Sequence, residues 1–232
     1  MTRPMARAIS LRSAVSLAGA FPVLSGVDLD LEAGQVCVVL GANGAGKTSL
    51  LRLLAGLLPL TQGSCEVLGC VLPAGSAELR RQVGLLGHDV GLWDDLYPAE
   101  NLRFALRASR LDPAEAERAL SRVGIEGRTA NTRLGQLSEG QRRRVGLALL
   151  SARRPRLWLL DEPHAGLDAP TRLLVNELAD QAARGGAAVV ATSHEPELSV
   201  PMADVVVTMA GGAVVNRCAG GRVRQGGVPD VA

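Results

Sequence analysis

A glycine-rich loop between a buried strand and a helix constrains the fold of this 232-residue chain more than any other feature. Residues 36–40 form an unbroken apolar run, typical of a strand buried on both faces, and apolar residues recur at helical spacing over residues 48–58. The loop fits the pattern G-x-x-x-x-G-K-[ST], which in this context indicates a phosphate-binding loop. We predict an α/β fold with a mainly parallel sheet, in which the binding residues are Gly41, Ala42, Asn43, Gly44, Ala45, Gly46, Lys47, Thr48 and Ser49.

The chemistry of such a loop gives roles to two of its side chains. Backbone N–H groups converge on phosphate oxygens, and the helix N-terminus adds a favourable positive potential. Lys47 would reach the β- and γ-phosphates of a nucleoside triphosphate, and Thr48 would supply an oxygen to Mg²⁺. Lys47 is also the only lysine among the 25 basic residues, which indicates that the wide fork of arginine cannot replace a compact charge there. The alternative is an ordinary glycine-rich turn.

Two carboxylates, Asp161 and Glu162, directly follow the apolar run 157–160. In a doubly wound sheet, ligands bind at the carboxyl ends of the strands. Asp161 is therefore predicted to hold Mg²⁺, directly or through water, and Glu162 to polarise the water that attacks the γ-phosphate. The alternative is a pair of acids that merely ends a strand before Pro163.

Further motifs separate this chain from kinases and GTPases, which share the first two. One resembles the signature sequence of ATP-binding-cassette (ABC) ATPases and consists of Leu137, Ser138, Glu139, Gly140 and Gln141. Residues 165–168 resemble the D-loop of that family, and residues 192–194 resemble its switch-histidine segment. The resemblance extends from about residue 9 to residue 215 and implies a P-loop NTPase core with an antiparallel β subdomain and an inserted helical subdomain.

The resemblance to ABC ATPases implies a homodimer that forms head to tail around two ATP molecules, with ATP and Mg²⁺ as cofactors. Ser138 and the Gly140 N–H of one subunit would bind the γ-phosphate held by the phosphate loop of the other. The resemblance also implies catalytic roles for Glu162 and His194 and a nucleotide-binding role for Asp168. Because the contacts to the γ-phosphate vanish when it leaves, hydrolysis is expected to open the dimer and to drive a partner.

Two positions depart from the usual pattern of the family. Most members have a glutamine where this chain has His88, and a neutral imidazole can likewise accept from water or contact a metal. We assign His88 to catalysis and to the metal site; the alternative is a surface-loop histidine. Phe21 is the only aromatic residue before the phosphate loop, yet the expected adenine-stacking position falls nearer Ala18.

Residues 83–102, with their Gly87-His88 pair, resemble the same region of the ATPase subunits of haem exporters used in cytochrome c maturation. This resemblance implies separate integral membrane transporter subunits that dock around residues 88–97 and the adjoining helical insert. The alternatives are the ATPase of a drug or polysaccharide exporter and a soluble non-transport ABC ATPase, such as one of iron–sulfur assembly.

Composition narrows the remaining function classes. The net charge of +2 argues against bulk capture of nucleic acid, and the 2% of aromatic residues provides few stacking platforms beside the basic run 142–144. No apolar run reaches the roughly 20 residues that a membrane-spanning helix needs. The four cysteines lack metal-binding spacing, which favours a reduced compartment. We expect a peripheral protein at the cytoplasmic face of the cell membrane, with no nucleic-acid partner.

The chain is expected to divide into an ABC ATPase domain, residues 1–216, and a flexible glycine-rich tail, residues 217–232. The helical subdomain is placed at about residues 99–154, with helices over 100–109, 112–123 and 140–151. Strands are predicted over 27–31, 36–40, 83–86, 157–160, 187–192 and 204–209. The segment 1–17 is basic like a targeting peptide, but it lacks a continuous apolar region, and we interpret it as a first strand.

Overall fold

The computed structural model describes residues 7–73, 75–87 and 90–222. Its strands are β1 (Arg7–Ala18), β2 (Phe21–Glu32), β3 (Val36–Leu40), β4 (Gln62–Val67), β5 (Cys70–Val71), β6 (Val83–Leu86), β7 (Leu157–Leu160), β8 (Ala188–Ser193), β9 (Val205–Ala210) and β10 (Ala213–Ala219). Its helices are α1 (Lys47–Leu54), α2 (Ser76–Gln82), α3 (Pro98–Ala108), α4 (Glu115–Arg122), α5 (Gly127–Ala130), α6 (Glu139–Arg153), α7 (Ala169–Arg184) and α8 (Pro196–Ser199).

The larger sheet has six strands in the order β10-β9-β3-β8-β7-β6. All neighbours are parallel except β10, which runs antiparallel to β9, so the predicted mainly parallel sheet is confirmed. Strands β3, β7 and β8 are buried along nearly their whole length, because α3, α4, α6 and α7 cover one face of the sheet and α1 with the smaller sheet covers the other. The bounds of β3, β6 and β7 coincide with their predicted bounds. The phosphate loop follows β3, and β8 separates β3 from β7.

The smaller sheet is antiparallel, in the order β2-β1-β4-β5. The first described strand, β1, pairs with both β2 and β4 and buries Ile9, Leu11 and Ala14. The interpretation of this segment as a strand is therefore confirmed for residues 7–17, and residues 1–6 lie outside the described part of the chain.

Helices α3 to α6 follow β6 and precede β7 in the chain. Their buried residues form one hydrophobic cluster with one face of the larger sheet. Several predicted bounds differ from the structure, and two of these differences have a local cause. The helix predicted from residue 112 begins at Glu115, because the carboxylate of Asp112 accepts the N–H of Ala114 at 2.9 Å and holds a turn there. The helix predicted to end at residue 58 ends at Leu54, just before Gly56 with a φ of 67°.

The C-terminal segment differs from the predicted tail over residues 217–222. Strand β10 continues to Ala219, and the side chain of Arg222 is buried between Asp180 and Asp204, with ion pairs of 2.8 and 2.7 Å. The remainder of the predicted tail, residues 223–232, lies outside the described residues.

Within the described ranges, no helix is both long and apolar enough to cross a bilayer. The same part of the chain contains no group of three or more His, Cys, Asp or Glu that could hold a metal ion. The four cysteines are free thiols, and burial raises the pKa of Cys37 and of Cys65 to about 12.

Candidate active site

The phosphate loop joins the end of β3 to α1 and depends on glycine where the backbone turns. Gly46 precedes the helix with a φ of 100°, a conformation that side chains disfavour. A Cβ atom at this position would lie 2.8 Å from the carbonyl oxygen of Val23. Glycine is therefore needed both for the turn and for the close approach of β2.

Lys47 begins α1 and is the buried cation of the loop, with 6% of its side chain exposed. Its ammonium donates to the carbonyl oxygens of Gly41 at 2.8 Å and Ala42 at 3.2 Å. It also lies 3.6 Å from a carboxylate oxygen of Glu162. The charge of Lys47 is thus held on the concave side of the loop, opposite the acid that follows β7.

A cavity of about 460 Å³ opens beside the loop. It is lined by loop residues 43–49, by Glu162, by Pro22 and Val23 of β2, and by residues 211–212. The described residues that line it include none of residues 137–141. Within one chain, the phosphate loop and the signature sequence do not share this cavity.

Three oxygen-bearing side chains meet at the carboxyl edge of the sheet. Thr48 donates through Oγ1 to Asp161 Oδ2 at 2.8 Å, and Thr192 of β8 donates to Asp161 Oδ1 at 2.7 Å. Hydroxyl and carboxylate oxygens are the ligand type that Mg²⁺ prefers. Thr48 and Asp161, which the sequence assigned to the metal, are therefore in contact and have suitable donors.

Glu162 adopts a left-handed backbone conformation, with a φ of 46°. This conformation costs a residue with a side chain on the order of 1 kcal/mol, and such strain clusters at functional sites. The N–H of Glu162 donates to Thr192 Oγ1 at 2.9 Å. Its carboxylate lies 3.1 Å from Nδ1 of the half-exposed His194. The two side chains that the sequence assigned to catalysis here are therefore in contact.

The signature sequence forms the start of α6, and Ser138 is its N-cap. The hydroxyl of Ser138 accepts the N–H of Gln141 at 3.3 Å, and the amide oxygen of Gln141 accepts the N–H of Ser138 at 3.0 Å. Ser138 and Glu139 are exposed, whereas Leu137 is buried in the core. Ser138 thus stands at a solvent-facing helix N-terminus, where anions are favoured.

Comparison with protein families gives the family of this fold and site. The family model described as ABC transporter matches residues 24–165, more than half of the chain. The chain belongs to the ABC transporter family. This ABC cassette binds and hydrolyses ATP, as members of the family do.

Curated relatives and solved structures resemble this ABC cassette over most of its length. The cytochrome c biogenesis ATP-binding export protein CcmA 2 of Cupriavidus metallidurans is 44% identical over 173 residues, covering 73% of this chain and 82% of the relative. The protein CcmA of Bordetella bronchiseptica is 45% identical, covering 72% and 75%. The bacterial ABC transporter cassette MJ0796, solved as a dimer, has the same fold, with a TM-score of 0.84, 22% identity and coverage of 93% and 100%.

In this ABC cassette, Asp168 and His164 have structural roles that the sequence did not predict. Asp168 is the N-cap of α7, and hydrogen bonds from the side chain and the N–H of Thr171 lower the pKa of Asp168. His164 is buried and bonded through Nε2 to Asn176 Oδ1 at 2.7 Å.

Two positions of the cassette, His88 and Phe21, depart from the usual pattern of the family. His88 lies outside the described residues, so its assignment to catalysis and to the metal stays a prediction. Phe21 is 77% exposed and is not among the described residues that line the cavity, although its neighbour Pro22 is.

The sequence reasoning missed the roles of Thr192 and Arg143. Thr192 was recognised only as part of the segment before His194, and its signal was a hydroxyl at the end of an otherwise apolar strand. Arg143 was recognised only as part of a basic run. It is buried and contacts the backbone of Glu162.

Proposed function

We propose that this chain is the ATP-hydrolysing subunit of a haem exporter that serves cytochrome c biogenesis. Support comes from relatives at 44% and 45% identity that are named cytochrome c biogenesis ATP-binding export proteins. The chain acts at the cytoplasmic face of the cell membrane as a peripheral subunit bound to separate membrane subunits.

ATP joins two copies of the chain. The observation that carries this proposal is that the cavity beside the phosphate loop is lined by none of residues 137–141. Ser138 and the N–H of Gly140 therefore bind the γ-phosphate of an ATP held by the partner's loop. Residues 41–49 hold the phosphates on one side, and residues 137–141 with Asp168 complete the site from the other copy. The dimeric state of MJ0796 agrees with this arrangement.

Hydrolysis depends on side chains around Glu162. The carboxylate of Glu162 accepts a proton from the attacking water, and His194 holds that carboxylate in place across 3.1 Å. Lys47 stabilises the charge that develops between the β- and γ-phosphates. Thr48 and Asp161 would hold Mg²⁺, which supplies further neutralisation of phosphate charge when bound.

The membrane subunits dock on an exposed aromatic patch formed by Trp93, Tyr97 and Phe104. Trp93 and Phe104 are 61% and 56% exposed and pack edge to face, with ring centroids 6.3 Å apart. Exposed clusters of large apolar side chains mark interaction surfaces. Trp93 and Tyr97 lie within residues 88–97, where the sequence predicts the docking of a membrane partner.

The function is tested in cells that lack the gene for this chain. Wild-type protein is expected to restore covalently haem-stained c-type cytochromes, and Lys47→Ala is expected to fail because it removes the cation at the phosphates. Lys47→Arg tests whether any cation suffices, and we expect it to fail too, because the guanidinium is too wide for the loop. Normal c-type cytochromes in the cells without the chain would point instead to a drug or polysaccharide exporter.

A purification experiment distinguishes the ATPase of a membrane transporter from a soluble non-transport ABC ATPase. The tagged full chain is purified from detergent-solubilised membranes, and a polytopic membrane protein is expected to co-purify. A stable complex recovered without membranes or detergent would favour the soluble non-transport ABC ATPase. Trp93→Ser with Phe104→Ser should lose the membrane protein while keeping ATP binding, because the patch lies outside the nucleotide cavity.

A further inference from the structure

Arg143 is a buried arginine in the middle of the active-site scaffold, with 3% of its surface exposed. It belongs to α6, the helix that begins with the signature sequence. Its Nη1 donates to the backbone carbonyl oxygen of Glu162 and lies 3.5 Å from that of Ala165. One side chain therefore connects the signature helix to the segment that carries the catalytic carboxylate.

The backbone of Glu162 is held from both sides in its left-handed conformation. Thr192 accepts its N–H, and Arg143 donates to its carbonyl oxygen. These two contacts fix the peptide planes on either side of the Glu162 Cα, and so the direction in which its carboxylate leaves the chain. That direction places the carboxylate 3.6 Å from Lys47 and 3.1 Å from His194.

The start of α6 also packs on the same segment. A Cβ atom at Gly140 would lie 3.5 Å from Leu167 Cδ2 and 4.0 Å from the carbonyl oxygen of Gly166. The first turn of α6 thus lies beside residues 166–167, and the guanidinium of Arg143 contacts the backbone of residues 162 and 165. Interiors are packed densely enough for a shift of α6 to be passed on to this loop.

The charge of Arg143 suits this position. Burial lowers the pKa of its guanidinium, and attraction by Glu139, Asp161 and Glu162 opposes that effect. Arginine stays protonated in proteins, so its N–H groups remain donors throughout the pH range of activity. The contacts of the Arg143 guanidinium with the carbonyl oxygens of Glu162 and Ala165 are therefore independent of pH over this range.

We propose that Arg143 is a positioning residue that aligns Glu162 when the signature sequence of the same chain has bound the partner's ATP. This inference rests on the proposed ATP-bound dimer. Each chain uses Glu162 on the ATP in its own loop and Ser138 on the ATP of its partner. Arg143 therefore makes hydrolysis at one ATP depend on occupancy of the other.

The test compares variants of the full chain in ATP hydrolysis and in ATP-dependent dimer formation. Arg143→Gln is expected to lower kcat about 10- to 100-fold, the effect of displacing a catalytic group by about 1 Å. KM is expected to stay within about twofold and the dimer to persist, because Arg143 does not line the nucleotide cavity. Arg143→Lys should recover part of kcat, since an ammonium can replace one of the donors.

Arg142→Gln is the matched control. Arg142 lies next to Arg143 on α6 but pairs at the surface with Asp94, at 2.7 Å. This variant removes the same charge from the same helix, and its kcat and KM should equal those of the wild type. If Arg143→Gln does not fold, Arg143→Lys, which keeps the buried charge, decides the question by the same measurements.

A double-mutant cycle distinguishes positioning of Glu162 from a general structural role. If Arg143 acts through Glu162, the Glu162→Ala, Arg143→Gln double variant hydrolyses ATP no more slowly than Glu162→Ala alone. The inference would be overturned if the double variant had a lower kcat than Glu162→Ala. It would also be overturned if Arg143→Gln had the kcat of the wild type or no longer formed the dimer. Absence of hydrolysis or dimer in the wild type and in Arg142→Gln would instead count against the proposed function.

Discussion

The side chain of His164 is 96% buried in the loop that follows Glu162, since only 4% of its surface is exposed. Nε2 contacts Asn176 Oδ1, whereas Nδ1 has no hydrogen-bond partner among the described residues. Burial lowers the pKa of His164 because the charged ring would lose its hydration, and the nearby guanidinium groups of Arg172 and Arg143 add to this effect. The bond to Asn176 and the carboxylate of Glu195 act in the opposite direction.

This burial predicts a loss of stability in acid. Since the pKa of His164 is lower in the folded state than its ordinary value of 6.5, the unfolded chain takes up the proton first as the pH falls. The contribution of the neutral, buried His164 to the free energy of unfolding is fully present above about pH 7 and is lost progressively below pH 6.5. The Tm should therefore fall less between pH 7.5 and 5.5 in His164→Gln than in the wild type. Equal falls in the two proteins would contradict a neutral buried His164.

The sequence could identify Lys47 but not Arg143, and the reason is physical. Lys47 stands in a local motif whose spacing alone defines the loop, and it is the only lysine of the chain. Arg143 is functional in our proposal because α6 packs against the loop after β7, a contact between separate parts of the chain. A run of arginines on a helix looks the same whether it faces solvent or a buried carbonyl oxygen.

The elements near the C-terminus are fastened by Arg222. Its guanidinium contacts Asp180 of α7 and Asp204 before β9, and it also donates to the carbonyl oxygen of Gly34, at 3.3 Å. Asp204 in turn accepts the N–H of Val36 at 2.8 Å. One side chain thus joins α7, the entry to β9 and the entry to β3, at the end of the sheet opposite the phosphate loop.

Arg222→Ala is expected to destabilise the fold by about 3 kcal/mol, because it removes a buried cation from its ion pairs with Asp180 and Asp204. For a chain of this size that corresponds to a fall in Tm of roughly 6–12 °C. Arg217→Ala is the control, since Arg217 lies on β10 with an exposed contact to Asp30, and its effect should stay within about 0.5 kcal/mol. Equal Tm values for Arg222→Ala and Arg217→Ala would show that the ion pairs of Arg222 do not stabilise this end of the sheet.

Elements buried on both faces were predictable in their bounds, whereas an exposed edge strand was not. The runs 36–40 and 157–160 are apolar because the sheet interior requires it, and the structure has strands at the same residues. The run 83–86 lies at an edge of the sheet, but three of its four residues are buried, and its bounds also agree. Strand β10 is mostly exposed and includes Asn216 and Arg217, so its sequence has no alternation and resembles a tail. What forms it is pairing with β9, which no local pattern specifies.

At the scale of the whole molecule, the proposed dimer requires each copy to present two different surfaces to ATP. Glu162→Gln is expected to keep ATP binding while hydrolysis stops, because the amide cannot take the proton from water. Size-exclusion chromatography with ATP should therefore detect an accumulated dimer. The same variant with Lys47→Ala should stay monomeric, because it lacks the cation of the phosphate loop. A Glu162→Gln protein that elutes only as a monomer with ATP would contradict the arrangement.

The alignment of the active site is also a matter of strand register. In β8, Thr192 lies beside Val39 of β3 and one residue beyond the pair formed by Ala191 and Leu160 of β7. A slip of β8 by one residue would turn the threonine hydroxyl to the opposite face, and Asp161 and Glu162 would both lose it. The same slip would move Ala188 and Val190 out of one hydrophobic cluster and Val189 and Ala191 out of the other. The packing of the core on the two faces of β8 thus also determines where the threonine hydroxyl meets the two acids.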